Sequence, residues 1–199
     1  MKIPEFAALI ISWAVISLCF SLSALFYDAS FFPIYFLLTA GSAGLGFILH
    51  ELAHRSVARR YGCHAEYRLW IWGLVLALAM AILSQGQFIF AAPGAVYIAP
   101  MALSASIDIV VLKRVYGLVS LAGPSMNLLL AAVFYILYLQ GGLIGALGYI
   151  GTTINLWLAA FNLIPIPPFD GSKVFAWSKI AWAIFAIPTW LILFAVIYM

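Results

Sequence analysis

Charged residues are scarce in this chain. Only 8% of its 199 residues are Asp, Glu, Lys or Arg, whereas 67% are hydrophobic, and the mean hydropathy is +1.16. About a quarter of the residues of a soluble domain are charged, so this composition excludes an ordinary soluble enzyme and indicates an integral membrane protein. The net charge of +3 comes from residues too scattered to form a nucleic-acid-binding surface, and we expect no nucleic-acid partner.

Cysteine is nearly absent as well. Cys19 lies in the first apolar stretch and Cys63 in a basic segment, so the chain has neither a disulfide framework nor a set of thiolate metal ligands, and we expect reduced thiols. The sequence also lacks internal repeats, which argues against the paired halves of a transporter. The chain is therefore predicted to form one integral-membrane domain, residues 1–199.

Long apolar runs dominate what remains. A helix that crosses a bilayer needs about 20 apolar residues. Runs near this length lie at 6–26, 34–60, 116–139, 143–164 and 180–198. The sequence therefore predicts an all-α membrane protein, a helical bundle of about six segments. The sixth segment lies near 69–100, between the second and third of these runs.

That sixth segment, near 69–100, differs from the others. Its apolar part, 69–84, is short for a crossing, and residues 87–100 place aromatic and β-branched residues around a Pro-Gly pair, which is typical of extended chain with a turn. Basic residues favour the cytosolic side of a membrane. They flank the segment on both sides at Arg55, Arg59, Arg60, Arg68, Lys113 and Arg114. We therefore predict a re-entrant hairpin, a helix followed by an extended limb that returns to the same side.

Residues 50–54 read HELAH, in an apolar run without a charged residue from Ala29 through His50. Positions four apart project from one helix face, so His50 and His54 can both reach one metal ion. Glu51 is expected to act as a general base and proton shuttle for a water that zinc activates. Because such polar groups are costly in hydrocarbon, we interpret the motif as functional and expect one zinc ion per chain.

A catalytic zinc site needs a third protein ligand. The residues that could supply it are His64, Glu66, Asp108 and Asp170. His64 and Glu66 follow a basic helix end and read as solvated loop residues, and Asp108 reads as surface charge. Asp170 follows a proline-rich turn that can point a carboxylate back into the bundle, although a capping or turn aspartate is the simpler interpretation of its position. Spacing alone leaves the third ligand open.

Three motifs in this chain resemble the site-2 protease family of intramembrane zinc metalloproteases. They are HELAH at 50–54, AGPSMN at 122–127 and FNLIPIPPFDG at 161–171. The resemblance covers about residues 34–180. Ala53 and Ser172 stand where the family often has glycine, and the chain shows neither a PDZ insertion nor a nucleotide-sensing domain. We therefore expect a compact form in which the membrane core selects the substrate.

The resemblance implies roles for particular residues. His50, His54 and Asp170 would bind zinc, and Glu51 would be the catalytic acid/base. Asn162 would help to hold the substrate or the oxyanion. The implied activity is hydrolysis of peptide bonds in or near the transmembrane segments of substrate proteins.

The extended limb of the hairpin suggests how such a substrate could bind. A transmembrane helix must unwind before one of its peptide bonds can be cut. A strand edge at 88–98 could receive the unwound segment by strand addition, which would satisfy its backbone groups. We predict substrate contacts from Phe88, Ala95 and Val96, with a loop that plugs the cavity as the alternative.

The spacing between His50 and the basic residues predicts where the active site lies. Arg59 lies nine residues past His50, about 13 Å along a helix, so the active site is expected in the cytosolic leaflet of the plasma membrane.

The alternative function is zinc binding without hydrolysis, in a metal carrier or an inactive relative that binds helices. A carrier needs successive polar sites, which the apolar spans lack, and an inactive relative would usually have lost Glu51. A purely structural bundle would bind no stoichiometric zinc.

Overall fold

The computed structural model describes residues 3–87, 89, 93–100 and 108–198, and this part of the chain is mostly helical. The helices are α1 (Glu5–Tyr27), α2 (Phe32–Thr39), α3 (Leu45–Arg60), α4 (Ile71–Leu83), α5 (Ile109–Tyr138), α6 (Gly142–Asn162), α7 (Asp170–Trp177) and α8 (Lys179–Tyr198). The strands are β1 (Cys63–Leu69) and β2 (Gly94–Pro100). The predicted all-α class is confirmed, with a small two-stranded sheet added to it.

Five helical segments within the described residues are long and apolar enough to cross a membrane. They are Glu5–Tyr27, Ala29–Arg60, Ile109–Tyr138, Gly142–Asn162 and Lys179–Val196. Each coincides with a predicted span, and α4 is the shorter apolar helix between them. The chain is therefore a multi-pass membrane protein.

The third of these spans begins earlier than the sequence predicts. Its helix, α5, starts at Ile109 because the Asp108 side chain caps it by accepting a hydrogen bond from the Val110 N–H (2.9 Å). Lys113 and Arg114, expected before the span, therefore lie in its first turns. The apolar periodicity could not locate this boundary, because the first turns of α5 mix apolar and basic residues.

The second span contains a wide helical turn just before the HELAH motif. Residues Ala40–Gly44 form a π-helical turn between α2 and α3. The Trp13 indole of α1 packs there, donating from Nε1 to the Ala40 carbonyl (3.1 Å). A Cβ at Gly44 would overlap the same indole ring. The wide turn shifts the register of the helix that follows, and so helps to set which face of α3 points into the bundle.

In the segment predicted as a re-entrant hairpin, the chain leaves the small sheet and returns to it at one point. β1 and β2 pair antiparallel, with Leu69 opposite Gly94, and the Trp70 N–H donates to the Pro93 carbonyl (2.8 Å). Between these ends, α4 has 13 residues, about 20 Å of helix, which is short of the roughly 30 Å hydrocarbon core. The helix and its extended return limb are both present. Strand β1, read from the sequence as a loop, is the partner that the return limb requires.

Small residues allow α5 and α6 to pack closely. Gly148 lies against the backbone of Tyr138 and Gly151 against the ring of Phe134, and a Cβ at either glycine would overlap its neighbour. Glycines spaced along one face let helix backbones approach in lipid, where packing replaces the hydrophobic effect as the main attraction. Helix α5 of this pair also packs against both α3 and α7, which carry His50, His54 and Asp170.

Replacing Gly148 with alanine is expected to destabilise the protein by about 1–3 kcal/mol, because the added methyl must displace backbone atoms. The measurement is the melting temperature in detergent. Gly41→Ala is the matched control, since its Cβ meets only the Leu147 side chain at 3.9 Å. Equal melting temperatures for the two variants would contradict this account of the contact between α5 and α6.

Candidate active site

His50 and His54 lie one turn apart on the buried face of α3, as their spacing predicts. Both rings are nearly inaccessible, and Glu51 beside them is 8% exposed. Helix α5 crosses this face, and α7 begins next to it with Asp170. The structure thus brings together two residues of one helix with a third residue that is far away in the sequence.

A tight turn after α6 delivers Asp170 to the histidines. Gly171 lies against the backbone of Leu163, where a Cβ would overlap the carbonyl group. Only glycine therefore lets α7 start this close to the end of α6. The Ser172 hydroxyl donates to the Phe169 carbonyl (2.7 Å) and fixes the first turn of α7. The turn aims the carboxylate of Asp170 inward, so Asp170 is not simply a surface turn residue.

Three acceptor atoms converge at this point. His50 Nε2 and His54 Nε2 are 2.9 Å apart, and Asp170 Oδ2 lies 3.0 Å from His54 Nε2 and 3.4 Å from His50 Nε2. Ligands about 2.0–2.1 Å from a tetrahedral zinc ion are separated by about 3.3 Å. The observed separations are close to this value, so His50, His54 and Asp170 could hold one divalent ion. These three residues are called the metal-binding group below.

The hydrogen bonds on the far side of each ring show which nitrogens carry protons. His54 Nδ1 lies 2.7 Å from the Val119 carbonyl, which can only accept, so Nδ1 is protonated. His50 Nδ1 lies 2.5 Å from Asn127 Oδ1, and Asn127 is held in this orientation because its Nδ2 donates to the Gly46 carbonyl (3.3 Å). In its neutral form each ring would therefore carry its proton on Nδ1 and present an unprotonated Nε2 to Asp170.

This arrangement favours a bound cation. Two imidazole lone pairs and a carboxylate oxygen repel one another when no proton or metal lies between them. Gly123 of α5 faces the same point, and a Cβ there would overlap His50 Nε2 and His54 Nε2. On the other side, Lys173 Nζ lies 3.6 Å from Asp170 Oδ1, which leaves Oδ2 for the histidines. The donor set and the space left by Gly123 both fit a divalent metal.

Glu51 and Asn162 share a cavity with this group. The cavity has a volume of about 520 Å³ and reaches from the histidines to strand β2. Glu51 Oε2 is buried and has no hydrogen-bond partner among the described residues, so it is free to accept a proton. The Asn162 amide donates to the Leu158 carbonyl (2.9 Å) and keeps a second N–H. The site thus contains a metal-binding group, a candidate base and an amide donor.

Strand β1 is anchored on one edge by the N-terminal helix. The Tyr67 N–H donates to Glu5 Oε1 (3.0 Å), and Arg55 Nη1 lies 3.2 Å from the same oxygen. Burial, together with the nearby Glu51 carboxylate, raises the pKa of Tyr67 above its usual range, so the hydroxyl stays protonated. That hydroxyl is hydrogen-bonded to Ser12 Oγ (2.9 Å). Glu5 therefore occupies the outer edge of β1 at Tyr67, which hinders the addition of a strand on that side.

The open edge of β2 lines the cavity. In an antiparallel pair, successive residues direct their backbone groups alternately toward the partner strand and away from it. Because Trp70 N–H points to β2 and Tyr67 N–H points away, Ala95 and Tyr97 bond to β1, whereas Val96 directs its N–H and C=O away from it. Within the described residues, no hydrogen bond reaches these Val96 groups.

The predicted substrate residues fall in different places. Ala95 and Val96 line the cavity, with Ala95 exposed and Val96 half-buried. Phe88 lies outside the described residues. Of the other candidate ligands, His64 and Glu66 lie on β1 and Asp108 caps α5, so none of them joins the metal-binding group. These placements leave Asp170 as the third member of that group.

Two residues around the site carry no role in the sequence-based prediction. Gly123 and Asn127 belong to AGPSMN, the second of the three motifs, which served there only to mark the family. The spacing of these two residues could have indicated a shared role. They are four positions apart on α5 and so share a face, as His50 and His54 do on α3. Which helix that face would meet could not be read from the sequence.

Metal analysis tests the group directly. Purified wild-type protein is expected to contain nearly one divalent metal ion per chain, and His54→Ala and Asp170→Ala are each expected to lose it, because two remaining ligands bind weakly. The control is His64→Ala, which removes an exposed histidine on β1 and should keep the metal. Retention of the metal by both site variants would contradict the assignment.

Comparison with known proteins agrees with this chemistry. The chain is similar to a candidate zinc metalloprotease of Methanocaldococcus jannaschii, with 42% identity over 171 residues, 84% of each chain. It is also similar to a candidate zinc metalloprotease of Mycobacterium tuberculosis, with 32% identity over 148 residues, 71% of this chain but 31% of the longer relative. No family model and no solved structure matches the chain significantly. Both relatives are named as zinc metalloproteases, and this chain belongs to the site-2 protease family of zinc metalloproteases.

Proposed function

We propose that this protein is an intramembrane zinc metalloprotease that hydrolyses peptide bonds in or near the transmembrane segments of substrate proteins. The observation that carries the proposal is the position of the metal-binding group. His50, His54 and Asp170 converge beside Glu51 on one cavity, in a chain with five membrane-spanning segments among its described residues. Its partners would be the lipid bilayer and transmembrane protein substrates.

The residues of the site have distinct roles in this reaction. Zinc, when bound by His50, His54 and Asp170, would polarise the carbonyl of the substrate and make a water acidic enough to react near neutral pH. Glu51 accepts a proton from the attacking water and passes it to the departing amine. The carbon–nitrogen bond breaks as the carbonyl carbon gains the hydroxyl group. The Asn162 amide lies on the same cavity, where its second N–H can hold the substrate or the oxyanion.

The open edge of β2 is the proposed substrate-binding element. An unwound substrate segment has unpaired backbone groups that are costly in a membrane. The N–H and C=O of Val96 on this edge can pair with them, as in other cases of strand addition. Since the outer edge of β1 is occupied by Glu5, the substrate would add beside β2, next to the metal-binding group.

The basic residues favour an active site that opens toward the cytosol. Arg59 and Arg60 end α3, and Arg68 and Lys173 line the cavity. By the positive-inside tendency these residues lie on the cytosolic side, so water would reach the cavity from that side. We propose the cytosolic leaflet of the plasma membrane as the location of the site.

Glu51→Gln separates hydrolysis from metal binding. The variant is expected to keep its zinc, because Glu51 is not in the metal-binding group, and to cleave a membrane-embedded peptide at least about 100-fold more slowly, because the general base is lost. The measurements are zinc content and cleavage rate in liposomes. A metal carrier would instead transport zinc in both forms and cleave nothing. Unchanged cleavage by Glu51→Gln would disprove the proposed role of the base.

Val96→Pro tests the strand edge. Proline removes one N–H from the open edge while leaving the ladder bonds of Ala95 and Tyr97 to β1 in place, and proline is tolerated at such edges. We expect an increased KM with unchanged zinc content. Val96→Ala is the control, because it trims the side chain but keeps the N–H. If Val96→Pro and Val96→Ala cleave equally well, the backbone of β2 does not bind the substrate.

A further inference from the structure

A buried chain of amides connects His50 to helix α6. Asn127 Oδ1 lies 2.5 Å from His50 Nδ1, and Asn127 Nδ2 donates to Asn155 Oδ1 (3.0 Å). Asn155 Nδ2 in turn donates to the Gly151 carbonyl, one turn earlier in α6 (2.9 Å). Both asparagine side chains are fully buried. Because these hydrogen bonds are buried, breaking one of them would leave a polar group without a partner, at a cost in free energy.

The direction of every bond in this chain follows from its last member. The Gly151 carbonyl can only accept, so Asn155 must turn Nδ2 toward it and Oδ1 toward Asn127. Asn127 must then present Nδ2 to Asn155, which leaves Oδ1 for His50. An acceptor at that position selects the ring form with a proton on Nδ1, and the lone pair on Nε2 remains available for metal. Donation thus runs from His50 through Asn127 and Asn155 to the Gly151 carbonyl of α6.

The backbone of α3 is shaped to admit this chain. A Cβ at Gly46 would overlap Asn155 Oδ1, so the missing side chain lets α6 approach α3 one turn before His50. The Gly46 carbonyl accepts the second N–H of Asn127 (3.3 Å). Asn127 is consequently held by α3 and α6 at once. Removing Asn155 would leave one Asn127 N–H unpaired and a space beside it.

We propose that Asn155 is a positioning residue of the metal centre: acting through Asn127, it holds the His50 ring in the form that leaves Nε2 open to zinc. Asn155 does not touch the metal-binding group. Outer hydrogen-bond partners of this kind fix the orientation of a ligand and increase its basicity. The proposal concerns metal binding alone, and a failure of the proposed peptidase activity would leave it intact.

The test is zinc affinity, measured by competition with a chelator in the absence of peptide. Asn155→Leu keeps the volume but removes both hydrogen-bonding functions, and we expect about tenfold weaker binding. The matched control is Thr152→Val, which deletes another buried bond from α6 to α5, Thr152 Oγ1 to the Ala131 carbonyl (3.3 Å), outside the chain of amides. Its zinc affinity should be unchanged.

Two further variants separate positioning from general packing. In an Asn127→Ala background, adding Asn155→Leu should weaken zinc binding no further, because the connection is already broken. Asn155→Asp should recover most of the affinity, since a protonated carboxyl can donate to Gly151 and accept from Asn127. The visible spectrum of bound Co²⁺ should change in Asn155→Leu and not in Thr152→Val.

Two outcomes would overturn the proposal. One is equal zinc affinity in Asn155→Leu and Thr152→Val, and the other is independent, multiplicative effects of the Asn127 and Asn155 changes. If Asn155→Leu does not fold, Asn155→Ala also removes both hydrogen-bonding functions, and an unchanged zinc affinity in that variant equally contradicts the proposal.

Discussion

The structure depends on three hydrogen-bond acceptors being held together where no donor lies between them. Two imidazole nitrogens and a carboxylate oxygen, 2.9–3.4 Å apart, repel one another in a medium that screens charge poorly. A divalent cation turns this repulsion into attraction. The protein contributes by fixing the far side of each ligand: a carbonyl behind His54, an amide behind His50 and a lysine beside Asp170. The three helices α3, α5 and α7 meet at this point.

Helix α5 shows how the backbone serves the site. Pro124 lies inside it and has no N–H to offer the carbonyl four residues earlier, so the regular pattern of hydrogen bonds is interrupted near Ser120. The neighbouring Val119 carbonyl accepts from His54, and Gly123 leaves the space in front of the rings. Val119 and Gly123, four residues apart, thus orient the His54 ring and leave space in which a metal ion could bind.

The sequence alone predicts those site residues that lie close to one another along the chain. His50, Glu51 and His54 follow from helical spacing and from the cost of polar groups in an apolar run. Asp170 could be assigned only through resemblance, because nothing in its own neighbourhood shows that a turn after α6 reaches α3. Strand β1 and the early start of α5 were missed for different physical reasons. A strand depends on a partner that lies beyond the intervening hairpin, and a helix start depends on one capping side chain.

The two edges of the small sheet differ in a way that bears on recognition. Glu5, paired with Arg55, occupies the outer edge of β1 at Tyr67, whereas no described residue bonds to the outward N–H and C=O of Val96 on β2. Recognition through backbone groups would tolerate many side chains, because every extended peptide presents the same N–H and C=O pattern. Under the proposed function, selection would then depend on how readily a transmembrane helix unwinds. Helix-breaking residues near the cleaved bond would matter more than any particular side chain beside it.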